Sequence, residues 1–128
     1  MALKNKFGDD VIIHWHDRKR WCGLPLSFTR YYIVEKPSQW IKLYCDIGFF
    51  SSKIEEIQLY RMDDVSLHQN LLNKIFGVGT IDIKSDDKSM PEFKVLRIKK
   101  PYQVYDLLST LIVKDRKAKN FRWGEYSD

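Results

Sequence analysis

The chain has 128 residues and a mass of 15.3 kDa, with 22 basic against 17 acidic side chains and a formal net charge of +5. Apolar residues make up 44% and charged residues 30%, which suits one hydrophobic core and excludes a disordered, collagen-like or disulfide-stapled chain. At this length a large multidomain enzyme is excluded too, and no apolar run approaches the roughly 18–20 residues that cross a bilayer.

The opening MALKNKFGDD has basic residues but no apolar stretch behind them and no small-residue cleavage site, so no secretory signal is expected. Cys22 and Cys45 lack CxxC spacing, and reduced thiols in a cytoplasmic protein, possible at the membrane periphery, are the expectation.

Residues 10–16 (DVIIHWH) alternate, which places Val11, Ile13 and Trp15 on one strand face and Ile12, His14 and His16 on the other. This segment reads either as a barrel strand or as an arm that pairs with a neighbour's edge. A basic connection follows, and residues 26–35 (LSFTRYYIVE) form a strand rich in aromatic and β-branched residues. Residues 40–47 alternate most cleanly: Ile41, Leu43, Cys45 and Ile47 are expected inward, Trp40, Lys42, Tyr44 and Asp46 outward. A turn over residues 48–51 returns the chain through SSKIEEIQLYRM as the second arm of a hairpin.

Residues 63–70 alternate again, with Val65 and Leu67 inward. Residues 71–79 (LLNKIFGVG) read as an apolar crossover with two glycines, and residues 80–85 and 92–98 as two further strands. Periodicity then switches from 2 to 3.6. Pro101 suits the first turn of a helix, and Val104, Leu107, Leu108, Leu111 and Ile112 make one apolar stripe. The stripe stops at Asp115, and Lys114, Arg116, Lys117 and Lys119 are expected near the C-terminal end of the helix, where the macrodipole favours cations. Asp115 runs against that trend. Residues 121–128 are expected to fray.

These elements predict a mainly β fold: a bent antiparallel barrel of six or seven strands capped by one C-terminal α-helix, since curling removes exposed edges and the helix must bury its stripe. Three regions follow: residues 1–23 as strand or arm plus basic connection, 24–118 as barrel with capping helix, and 119–128 as a tail.

Residues 55–85, EEIQLYRMDDVSLHQNLLNKIFGVGTIDIKS, resemble the bacterial pleckstrin-homology-like (PH-like) domain family in their ordered pattern. An acidic-apolar strand leads to an LYRMDDV turn, a run of leucines, then G-x-G-T and a β-branched strand. SFTRYYI before it and KVLRIKKPYQVYDLLSTLI after it fit the same frame, so the resemblance spans about residues 24–115. It implies a small bent barrel with a capping helix, and no catalytic residues. From the residues themselves, Gly77 and Gly79 mark positive φ or close backbone approach, and Arg61 is expected to pin its junction by pairing with Asp63 or Asp64.

Arg18, Lys19 and Arg20 form the leading ligand cluster, with Arg30 and Lys42 joining from later strands; a phosphate or anionic lipid headgroup is the class they would take. In eukaryotic pleckstrin-homology domains, basic residues near the opening of the first hairpin hold phosphoinositide headgroups. Here the basic run is read as preceding the first barrel strand instead. Trp21, Trp40, Phe49 and Phe50 exceed what a small barrel can enclose and mark an interaction surface. His14 and His16 share a strand face but lack a third ligand, so no metal is expected. The chain carries no GxSxG, HExxH or P-loop, and Glu55–Glu56 and Asp86–Asp87 face opposite ways on a strand, so neither an enzyme nor a cofactor is expected. The expected function is a non-catalytic binding module acting through a protein partner or self-association. Anionic membrane contact is the first alternative. Single-stranded nucleic acid, through Arg30, Tyr31, Tyr32, Trp40, Lys42 and Tyr44, is the second, disfavoured by the low net charge and interspersed acids.

Overall fold

A computed structural model describes residues 10–20, 27–48, 51 and 53–127, the side chains of residues 120–127 excepted. Four strands, β1 (Ile12–Arg18), β2 (Thr29–Lys36), β3 (Trp40–Ile47) and β4 (Lys53–Gln58), pair antiparallel in chain order. A 3-10 turn (Leu59–Arg61) leads to a second antiparallel sheet of β5 (Met62–His68), β6 (Val78–Ser85) and β7 (Glu92–Lys99). A short helix α1 (Leu71–Phe76) lies between β5 and β6, and the long helix α2 (Pro101–Ser127) ends the chain.

The segment left open between strand and arm is β1, paired with β2 from Ile12 opposite Glu35 to Arg18 opposite Arg30. The register shifts between Ile13 and Trp15. One extra residue breaks the period of 2, so the expected shared face of Val11, Ile13 and Trp15 is split. Val11 and Ile13 pack with Tyr32 and Val34 on the outer side of the sheet, while Trp15 turns to the main core.

The core closes between the sheets. Tyr31, Ile33, Leu43 and Ile57 meet Ile81, Ile83, Val95 and Ile98, and α2 adds Val104, Leu108, Leu111 and Ile112. Each such helix side chain contributes roughly 1.5–3 kcal/mol by leaving water. In β3, Ile41, Leu43 and Cys45 point inward as expected, but Ile47 at the strand end is exposed and Asp46 is buried. Burial pushes the Cys45 thiol and the Tyr31 phenol each up to about 12.

The barrel is not closed. Its two sheets meet at one edge, where the Arg20 N–H donates to the Arg97 carbonyl (2.9 Å) and Arg97 Nε donates to the Arg20 carbonyl (3.2 Å). The opposite junction is held by α2. Asp115, out of place on a cation-rich stretch, is buried and accepts the Tyr60 N–H at 3.0 Å, satisfying the 3-10 turn. The cations around it are not at a helix end, because α2 runs on to Ser127. They act as tethers to both sheets: Lys114 to Glu35 (3.1 Å), Lys119 to the Gln39 carbonyl (2.9 Å), and Arg116 to the Met62 carbonyl. Arg61 does not pair as expected. It lies 3.7 Å from Asp86, and Asp63 instead faces Arg116 at 3.8 Å.

Candidate binding surface

The basic run sits in a different place from the one its order in the chain suggests. With β1 in the barrel, Arg18 ends the first strand and Lys19 and Arg20 open the first hairpin connection. Of the three side chains, the Arg20 guanidinium is committed to the fold, and Arg18 and Lys19 are tied through their backbone N–H groups. Asp17 accepts from the Arg18 N–H (2.7 Å), from Arg20 Nη2 (2.9 Å) and from the Lys99 N–H of β7 (2.9 Å). The Lys19 N–H donates to the Thr29 carbonyl. Arg30 stands between Arg18 and Asp46 in register, with a buried Nε. Lys42 is far along the sheet, paired with Glu56 at 3.3 Å and stacked over the Trp40 ring at 4.5 Å. The five cations therefore do not converge on one site.

The aromatic expectations divide similarly. Trp40 is half-buried and edge-on to Tyr44 at 6.3 Å. Tyr31 faces the core and Tyr32 is buried in the outer cluster, so these rings pack on protein rather than stand as a stacking platform for bases. Trp21, Phe49 and Phe50 lie outside the described residues, as does Cys22. His14 and His16 also part company: His14 Nε2 contacts Glu35 Oε1 at 2.7 Å, and His16 stacks on Tyr32. Burial alone would raise the Glu35 carboxyl, but hydrogen bonds from His14 and Lys114 outweigh it and hold it below its ordinary 4.5. Among the described residues no group of three or more His, Cys, Asp or Glu is arranged to hold a metal, and no helix is long and apolar enough to cross a membrane.

The surface that sequence reasoning missed is α1. The stretch read as a crossover is a helix capped at both ends. Asn70 Oδ1 accepts the Asn73 N–H at 2.7 Å, and Gly77 ends the helix at φ +70°, its N–H reaching back to Asn73 and Lys74 carbonyls. Asn before an apolar run and Gly after it was the available signal. None of its residues is buried: Leu71 is 74% exposed, Leu72 62%, Ile75 65% and Phe76 42%. Scattered apolar residues on a surface are ordinary, whereas four in six consecutive positions form a patch.

Its neighbours are cationic. Gln69 Nε2 donates to the Val78 carbonyl (2.8 Å), drawing together the two ends of the α1 excursion. Val78 pairs with Lys99, and Gly79 packs so closely on Pro101 that a Cβ there would lie 2.8 Å from the proline Cβ. That contact seats the start of α2 beside the base of α1. Arg97 and Lys100, at φ of 49° and 51°, kink the chain on either side of Lys99, and Lys99 and Lys100 are both exposed. Tyr102, in the first turn of α2, is 66% exposed.

Comparison with known proteins agrees with this architecture. The family model described as "Bacterial PH domain" matches residues 21–112, from the first hairpin connection through the apolar stripe of α2. Searches of curated proteins and of solved structures found no match. Two antiparallel sheets and a C-terminal helix seated by its apolar stripe are consistent with that match, and the chain belongs to the bacterial PH domain family.

Proposed function

We propose that this domain is a non-catalytic docking module whose contact surface is the α1 end of the barrel. Its family supports a binding role in general terms. The observation that carries the finer reading is the exposure of Leu71, Leu72, Ile75 and Phe76 on a well-capped helix. Keeping such side chains in water gives nothing to the fold, since each forgoes roughly 1.5–3 kcal/mol of burial. The first-hairpin cations support the reading less well, because Asp17 already engages Arg20.

Self-association through this end is disfavoured by symmetry. Two copies meeting face to face would gather Lys74, Lys99 and Lys100 of both copies into one interface.

Fractionation of lysates from cells producing the full chain tests the reading. The wild type should travel with membranes or a larger assembly, and Leu72→Ser/Ile75→Ser should run as the free 15.3 kDa chain. Identical profiles for the two, with both folded by circular dichroism, overturn docking through α1.

A further inference from the structure

We infer that the cleft between β1 and the start of α2 binds a soluble phosphate monoester carrying a flat ring, of the nucleoside monophosphate class. This site is separate from the apolar surface of α1 and does not depend on docking there.

The cleft has a volume of about 360 Å³, within the range of small-molecule sites. Its deeper lining is apolar: the half-buried Trp15 of β1 stands across from Val104 and Leu107 of α2. An indole beside two aliphatic side chains offers a flat ring a surface to pack on. Gln103, exposed at the mouth, carries an amide with both donors and an acceptor for the edge of such a ring.

Charge selects the other end of the ligand. Asp17 is the one carboxylate among the described residues of the lining, and it is already answered. It accepts from Arg20 Nη2 and from the Lys99 N–H, each at 2.9 Å. The Lys99 and Lys100 side chains line the same cleft and form no ion pair with a described carboxylate. Two positive charges are thus left at the mouth, and a phosphate monoester brings about −1.5 to −2 near neutral pH. An inositol phosphate has that charge but no flat ring for Trp15.

Lys100 is also a poor choice for the fold. Its carbonyl accepts the Gln103 and Val104 N–H groups at 3.1 and 3.2 Å, so it stands at the capping position of α2. Its φ of 51° suits glycine. A lysine there offers the helix no accepting side chain and sets a cation at its positive end. The cleft is what gives that cation a use.

Isothermal titration calorimetry of the purified full chain tests the site with four probes. Adenosine 5′-monophosphate should bind, whereas adenosine, inorganic phosphate and myo-inositol 1-phosphate should each bind more than about tenfold more weakly. Lys99→Gln/Lys100→Gln should weaken the monophosphate more than about tenfold, and Lys74→Gln, outside the cleft, less than about twofold. Lys100→Gly should weaken it about fivefold without lowering the urea midpoint. No binding of the monophosphate overturns the ligand class, and equal binding of myo-inositol 1-phosphate overturns the ring. Unchanged affinity in Lys99→Gln/Lys100→Gln overturns the cleft as the site. A lower midpoint in Lys100→Gly overturns the reading of that lysine as kept for a ligand.

Discussion

Two cationic regions lie at the junctions of this barrel, and they differ in what surrounds them. At the first-hairpin corner, Arg18, Lys19 and Arg20 open a connection that also joins the two sheets. Asp17 gathers the Arg18 N–H, the Arg20 guanidinium and the Lys99 N–H, and Arg20 is in turn laced to Arg97. At the α1 end, the side chains of Lys74, Lys99 and Lys100 form no ion pair with a described carboxylate, although Asp17 accepts the Lys99 N–H, and the apolar side chains of α1 are exposed. Within the denser basic run it is thus the Arg20 side chain that the fold engages, whereas the lysines of the α1 end lack a side-chain ion pair with a described carboxylate. A positive patch is informative only after the partners its members already hold have been subtracted.

The largest effect that follows is at Asp17. Replacing it with Ala strips a carboxylate from a partly buried arginine and an acceptor from two backbone N–H groups, which should cost about 3 kcal/mol. Urea denaturation should show this as a lower midpoint at unchanged slope. Lys74→Gln, Lys99→Gln and Lys100→Gln should each stay within about 0.5 kcal/mol of the wild type. Equal losses at both regions would erase the distinction between them.

Gly79→Ala should come next, at about 2 kcal/mol. Its new Cβ would sit 2.8 Å from Pro101 and 3.0 Å from Gln69, and rigid ring and sheet leave little room to relax. This variant probes the seat that holds α1 and the α2 start together. Thermal unfolding that leaves the midpoint unchanged would show that the seat tolerates displacement.

Much of the fold was legible in the residues. The apolar stripe of α2, the inward set Ile41, Leu43 and Cys45, and the family frame all follow from period and order, and Gly77 and Gly79 were legible as positive φ or close approach without saying which was which. The misreadings share a cause: tertiary placement of single residues. His14 adds one position to β1 and sends Trp15 to the other face, which alternation alone does not reveal. Once β1 joined the sheet, the basic run moved into the first hairpin. Asp115 looked anomalous because its partner, the Tyr60 N–H, is 55 positions away. The helix α1 was hidden by brevity, since six residues are too few for a 3.6-residue period to declare itself, although its caps were visible.

Glu35 extends the same contrast along the sheet. Its carboxylate joins the β1 bulge through His14 and α2 through Lys114, so it belongs with the internally partnered charges. Its folded value is held below the ordinary 4.5. The group therefore contributes stability above that pH and loses it as pH falls through the folded value. Glu35→Gln should cost about 1 kcal/mol near neutrality, and its denaturation midpoint should converge on that of the wild type in acid. A gap that is constant from neutral pH to pH about 3 would place the carboxylate's role outside its ionised form.

The smallest expected effect is the most discriminating. Leu72→Ser/Ile75→Ser removes large apolar side chains, a change that costs about 2–5 kcal/mol per site in a core. On α1 it should move the urea midpoint by no more than the equivalent of about 0.5 kcal/mol, because both residues are already exposed and the helix is held by Asn70 and Gly77 rather than by burial. A loss of core size would mean that α1 packs in solution against another part of the chain. Its apolar face would then be spent on the fold, and the α1 end would rejoin the first-hairpin corner as structure. A near-neutral result leaves Leu72 and Ile75 with no task inside the domain, which is the condition a docking surface must meet.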